Sequence, residues 1–144
     1  MRIIAGQFKN RVIAAPQGKK QAAITEMVRE SLFNILGSAV IDARFADLFA
    51  GSGSVGLEAL SRGAWRVTFV EKRKRAADDI RKSLAQWNVD LDRARVWNSD
   101  VFQLGQNPSD WAEWDIAFLD PPPQTDDNFL DRLIANRTLN SGTT

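Results

Sequence analysis

The chain has 144 residues, of which 44% are hydrophobic and 26% charged, with a formal net charge of +1, the profile of a soluble globular protein long enough for one domain with a real core. It contains no Cys and no His. That excludes disulfides, thiolate nucleophiles, Ser-His-Asp triads and the commonest zinc ligands, and it leaves chemistry to carboxylates, backbone dipoles or a cofactor, with no metal expected.

The expected elements follow in chain order. Arg2-Ile3-Ile4-Ala5-Gly6 and Arg11-Val12-Ile13-Ala14-Ala15 flank a polar turn and read as a small N-terminal β-hairpin. No signal-peptide core follows Met1 and no apolar run reaches the length of a membrane span, so a cytoplasmic location without membrane contact is expected. The charges up to Thr25 are Arg2, Lys9, Arg11, Lys19 and Lys20, all basic. Such a segment reads either as a solvated arm or as an electrostatic footprint for nucleic acid. Residues 16–20 form a loop, and Thr25 can cap a helix that carries Val28, Leu32, Ile35, Leu36 and Ala39 on one face, with Gly37 near its end.

A first central strand covers 45–49. A helix starts near Ser54 and stops at Gly63. A second strand covers 66–70, and the helix after it sets Ala76, Ala77, Ile80, Leu84 and Trp87 on one face. A third strand covers 94–97 and a fourth 115–119. Asp126 or Asp127 can cap a last helix bearing Phe129, Leu130, Leu133 and Ile134. The alternation predicts an α/β fold with a mainly parallel sheet of order 3-2-1-4 wrapped by helices. One domain spans 1–144: a basic hairpin or arm at 1–20, a helix at 21–40 and an α/β core at 41–144.

Two motifs converge on the switch point of such a sheet, where α/β proteins bind ligands. Gly51-Ser52-Gly53-Ser54-Val55-Gly56 ends the first strand. Its glycines permit a tight turn, and amides at the following helix start can hold an anion, the pyrophosphate of a dinucleotide or the carboxylate of S-adenosylmethionine. Glu71, ending the second strand, can accept from both ribose hydroxyls; otherwise it pairs with Lys72-Arg73-Lys74-Arg75. Asp100 either accepts from an adenine amine or caps the short segment after it.

Asp120-Pro121-Pro122 ends the fourth strand. Two prolines fix the backbone and remove two donors, leaving a ledge of carbonyl acceptors beside one carboxylate. That ledge suits a planar group with an exocyclic amine. The lone pair of such an amine is delocalised into the ring. Acceptors for its two hydrogens favour pyramidalisation and free that lone pair to attack a methyl group, a catalysis of positioning and electrostatics.

The chain resembles the RsmD family of 16S ribosomal RNA (guanine-N2) methyltransferases. The resemblance rests on Met1-Arg2-Ile3-Ile4-Ala5-Gly6 with Lys9 and Arg11, on residues 28–36, on Asp47-Leu48-Phe49-Ala50-Gly51-Ser52-Gly53, on residues 56–64, on Val70-Glu71-Lys72 and on Phe118-Leu119-Asp120-Pro121-Pro122. It implies a Rossmann-like methyltransferase fold with S-adenosyl-L-methionine as cofactor. It implies cofactor contacts at Asp47, Phe49, Gly51, Ser52, Gly53, Glu71, Lys72, Asp100 and Val101, and catalysis at Asp120, Pro121 and Pro122. It implies RNA contacts at Arg2, Lys9, Arg11 and Arg29, with ribosomal RNA or the small ribosomal subunit as partner.

The sequence departs from the family pattern in three places. Pro123 stands where the family has an aromatic residue. Ala22, Ala23 and Ile24 stand where it has Arg-Pro-Thr. The family's C-terminal strands are missing, so the fourth strand is expected to keep an open edge that self-association would protect. Two other activities are compatible with the motifs: methyl transfer to adenine in DNA or RNA, and RNA or partner binding by a catalytically impaired remnant. A nicotinamide oxidoreductase gives Asp120-Pro121-Pro122 no role.

Overall fold

The structure is a computed structural model that describes residues 1–14, 24–106, 113–123, 125, 128 and 131. Its elements are α1 (Glu26–Leu36), β1 (Arg44–Leu48), α2 (Ser54–Ser61), β2 (Arg66–Val70), α3 (Lys74–Gln86), β3 (Ala94–Trp97) and β4 (Ile116–Leu119). Short 3-10 segments occupy Gly37–Val40 and Val101–Gln106. The four strands are parallel and lie in the order β3-β2-β1-β4, as the alternation predicts. The expected last helix falls almost wholly outside the described residues, as do the loop at 16–20, Ala22 and Ala23.

Strand alternation sorts the core into two layers. Phe45, Val67, Phe69 and Ala94, with the partly buried Val96, Ile116 and Phe118, point to one face. There they meet Phe33 of α1, Val55, Leu57 and Leu60 of α2, Ile80 and Leu84 of α3, and Ile3, Phe8 and Ile13 of the N-terminal segment. Ala46, Leu48 and Val70 point to the other face, under Val101, Leu104 and Trp114, with Trp97 and Leu119 beside them. The sequence predicts helices wrapped around the sheet. Among the described residues all three α-helices pack on the first face, and the 3-10 segment with Trp114 covers part of the second.

All eight residues of α2 are buried, because the helix is sandwiched between the sheet and the N-terminal hairpin. Gly56 makes that approach feasible: a Cβ there would stand 2.4 Å from the Phe69 ring. The hairpin itself forms around the single antiparallel bridge Arg2↔Val12 and is pinned to α2. Ile4 and Ala5 donate their amides to the two carboxylate oxygens of Glu58, at 2.9 and 3.1 Å. Phe8 N donates to Ser61 Oγ at 2.9 Å, and Gln7 N to the Ser61 carbonyl at 2.8 Å.

Thr25 caps α1 as expected, its Oγ1 accepting from Val28 N at 3.2 Å. The inward face of α1 differs from the predicted one. Val28 and Ile35 are 53% and 84% exposed and Ala39 is also exposed, while Arg29 and Phe33 are buried and Leu32 and Leu36 half-buried. Two residues share the buried face: Arg29 ion-pairs with Glu58 at 3.3 Å with neither side chain exposed, and Phe33 stacks on Phe45 with ring centroids 6.3 Å apart.

Candidate active site

The parallel register sets the carboxyl ends of all four strands level. Leu48 pairs with Val70 on one side and Leu119 on the other, and Val70 pairs with Trp97. The next residue of each strand is therefore Phe49, Glu71, Asp120 and Asn98. The glycine turn, Glu71 and the Asp-Pro-Pro segment leave the sheet along one edge, with the strand order reversing between β1 and β4.

The glycine turn is braced from below. Phe49 takes a left-handed φ of 60°, an uncommon conformation for a bulky side chain that costs about 1–3 kcal/mol. Gly53, at φ 79°, starts α2 where a Cβ would stand 2.9 Å from Ile80 Cγ1, so only glycine fits both the backbone and the space. Gly51 N donates to Glu71 Oε1 at 2.9 Å, and Gly56 N donates to Asp47 Oδ2 at 2.9 Å. Two of the amides expected to face a ligand anion are thus occupied by the chain's own carboxylates.

Asp47 lies 2% exposed beneath the turn. Burial pushes its carboxyl up to about 8, against the Gly56 hydrogen bond and with the nearby charges of Glu71 and Asp120 adding to the rise. Glu71 is 6% exposed and is held at both oxygens, Oε1 by Gly51 and Oε2 by Arg73 N at 2.7 Å and Arg73 Nε at 3.2 Å. Asn98 steadies the same corner: its Nδ2 donates to the carbonyls of Glu71 and Lys72 at 3.0 and 2.9 Å. Asp100 does cap the segment after it, its Oδ1 accepting from Phe102 N at 3.0 Å, while its Oδ2 lies 3.8 Å from Lys72 Nζ. Val101 is 2% exposed in the second core layer. Phe102, 43% exposed, meets the Phe49 ring edge-on at 6.1 Å. Asn98, Arg73 and Phe102 are absent from the sequence-based site. An Asn directly after a strand, a residue type that bonds turn backbone, is the one signal that could have singled out Asn98.

Across the cleft, Asp120, Pro122 and Pro123 are exposed and Pro121 is half-buried. Thr125 N donates to the Pro122 carbonyl at 3.0 Å, closing a turn after the proline run. Ser52 is half-buried in the glycine turn.

The basic residues divide. Arg2, Lys9 and Arg11 are exposed on the docked hairpin. Arg29 is not at the surface, which corrects its reading as an RNA contact. Its side chain is fully buried between Glu58 and the Arg2 carbonyl, to which Nη2 donates. Burial holds its pKa below the ordinary value, opposed by the Glu58 charge. Among the described residues no group of three or more Asp and Glu is gathered for a metal ion, and no helix is long and apolar enough to cross a membrane.

A family profile described as conserved hypothetical protein 95 matches residues 1–144. The chain belongs to this family. Two similar proteins are each called ribosomal RNA small subunit methyltransferase D. The one from Escherichia coli K12 is 39% identical over 123 residues, covering 85% of this chain and 60% of that protein. The one from Haemophilus influenzae is 36% identical over 122 residues, covering 85% and 63%. The chain thus spans about three fifths of these relatives. The solved structure of yhhF from Escherichia coli superposes with a TM-score of 0.80 at 35% identity, covering 97% of this chain and 72% of that one. The fold is the Rossmann-like methyltransferase fold.

Proposed function

We propose that the chain is an S-adenosylmethionine-dependent methyltransferase acting on the exocyclic N2 amine of a guanine in small-subunit ribosomal RNA, as one cytoplasmic domain. The observation that carries this reading is the strand register, which brings Asp120-Pro121-Pro122 beside the glycine turn, with Glu71 one strand beyond. The names of the two relatives support the substrate class.

The residues present fit the cofactor. Glu71 is held at the strand end with its carboxylate oriented by Gly51 and Arg73, as a ribose acceptor requires. Phe49 and Phe102 would supply an apolar wall for a purine with Val101 packed behind Phe49, and Gly51, Ser52, Lys72 and Asp100 would surround the remaining polar groups, while Asp47 and Gly53 brace the turn beneath them. When bound, S-adenosylmethionine supplies an electrophilic methyl group. The chain's own part is to hold the base: Asp120 and the carbonyls of the proline run accept from the amine hydrogens and orient its lone pair. Arg2, Lys9 and Arg11 contact the RNA backbone. Self-association along the side of β4 that has no partner strand among the described residues is part of the proposal, and a monodisperse monomer by light scattering at micromolar concentration would count against it.

The test is labelled methyl transfer to a small-subunit particle lacking the modification. Asp120→Ala should abolish transfer and leave S-adenosylmethionine affinity within about threefold, since Asp120 is exposed across the cleft from the turn. Unchanged transfer would sink the assignment, and labelling of DNA instead of ribosomal RNA would redirect it to adenine chemistry. A second reading, a binding remnant without turnover, draws on Pro123, which is exposed where the family places an aromatic residue. Calorimetry separates the two, because a folded sample that binds no S-adenosylmethionine is the remnant.

A further inference from the structure

We propose that the outer surface of α3, continuous with the docked hairpin, is the track along which the RNA backbone reaches the cleft. This inference rests on the methyltransferase reading and assigns RNA contacts to residues outside it.

Charge is the first observation. The chain as a whole carries +1. Between Lys72 and Lys82 it holds six cations, Lys72, Arg73, Lys74, Arg75, Arg81 and Lys82, against the two carboxylates Asp78 and Asp79. The lysines reach far into solvent: the side chains of Lys72, Lys74 and Lys82 are 78%, 82% and 71% exposed. Asp78 and Asp79 are engaged by Lys74, Arg81 and Lys82 along the helix, and Glu71 and Asp100 by Arg73 and Lys72, so six cations face four carboxylates and a surplus of two positive charges remains. The start of α3 has no acid in its first turn and no side-chain cap at Arg73, so the helix dipole adds to the same sign.

Position is the second. α3 begins beside Glu71, at the lip of the cleft, and its 13 residues make it about 20 Å long. Its inner face, Ala76, Ala77, Ile80 and Leu84, is consumed by the core, so the cations are confined to the outside. At its far end it carries the hairpin. Phe8 stacks on Trp87 with ring centroids 5.4 Å apart, Ala14 N reaches Ser83 Oγ at 3.5 Å, and Arg93 reaches Gln7 Oε1 at 3.3 Å. Lys9 and Arg11 therefore extend the basic strip beyond α3 instead of waving on a loose arm. A polyanion of regular charge spacing matches a linear strip of this length better than a compact acidic site does.

The test uses the full chain and a short fluorescein-labelled RNA hairpin, titrated by anisotropy between 50 and 200 mM salt, roughly the range over which phosphate contacts dominate. The variants are Lys74→Ala/Arg75→Ala/Lys82→Ala and Asp78→Asn/Asp79→Asn, none of which alters a proposed cofactor residue. The triple variant is expected to bind at least about tenfold more weakly and to lower the slope of log K against log salt by about two to three units, near one per lost phosphate contact. The double variant is expected to bind more tightly by about twofold or more at the lower salt. Calorimetry with S-adenosylmethionine runs beside both. A triple variant that binds cofactor normally and RNA with the wild-type slope overturns the track and leaves the methyltransferase reading standing. Wild type that binds RNA with the expected shifts but no S-adenosylmethionine overturns the methyltransferase reading and supports the track. Equal or tighter binding to vesicles of anionic lipid at the same salt makes the strip a generic anion surface and also overturns it.

Discussion

Asp47 is the residue whose environment most changes its chemistry. Its ordinary carboxyl pKa of 3.8 rises to about 8 in the fold, chiefly through burial. The folded state therefore binds a proton more readily than the unfolded chain. The resulting stability is fully present below about pH 4 and is lost as pH rises through about 8. Thermal melts of the wild type should show the melting temperature falling between those limits. Asp47→Asn keeps an oxygen for the Gly56 amide and removes the titration, so its melting temperature should be flatter over the same range. A parallel fall in both proteins would show that Asp47 is not the group responsible. Near neutral pH a protonated Asp47 adds no charge beneath the glycine turn.

At the level of elements, α2 joins the glycine turn to the hairpin. Glu58 is its hub: one carboxylate holds two hairpin amides, Arg29 at 3.3 Å and Arg62 at 2.9 Å. Glu58→Gln keeps the shape but leaves the Arg29 charge buried without an opposite charge. Breaking such a pair costs about 3–5 kcal/mol, so urea unfolding should show a loss of that size. A loss below about 1 kcal/mol would mean that Arg29 escapes to solvent in the variant. Gly6 tests the same joint from the other side. It holds φ 91° with a notional Cβ 2.0 Å from the Ser61 carbonyl oxygen, so alanine cannot fit without displacing backbone. Gly6→Ala should lower the melting temperature and raise protease cleavage within residues 1–13, while cleavage in α3 changes little. Equal protection of the hairpin in both proteins would refute this docking.

At the scale of the molecule, the sheet was legible because each strand is a local run with a local signal. Residues 66–70 and 94–97 alternate between the two faces and are bounded by turn residues, and the crossover rule then leaves few strand orders. Arg29 was not legible. An arginine on an apolar helix reads as surface, and its burial depends on Glu58, which sits 29 positions away on another helix. The exposed Val28 and Ile35 were misread because the buried side of α1 meets partners distant in sequence, Glu58 at Arg29 and Phe45 at Phe33. At the cleft, the strand ends were readable from topology, whereas the occupation of Gly51 and Gly56 amides by Glu71 and Asp47 required coordinates. The hairpin adds a matter of timing. Its anchoring bonds to Glu58 span 54 and 53 residues, so its dock does not exist when residues 1–13 are synthesised. At about 5–20 residues per second the ribosome needs roughly 3–10 seconds to supply it. The basic hairpin thus spends that interval untethered next to the translating ribosome, a particle built largely of RNA, before α2 takes it in.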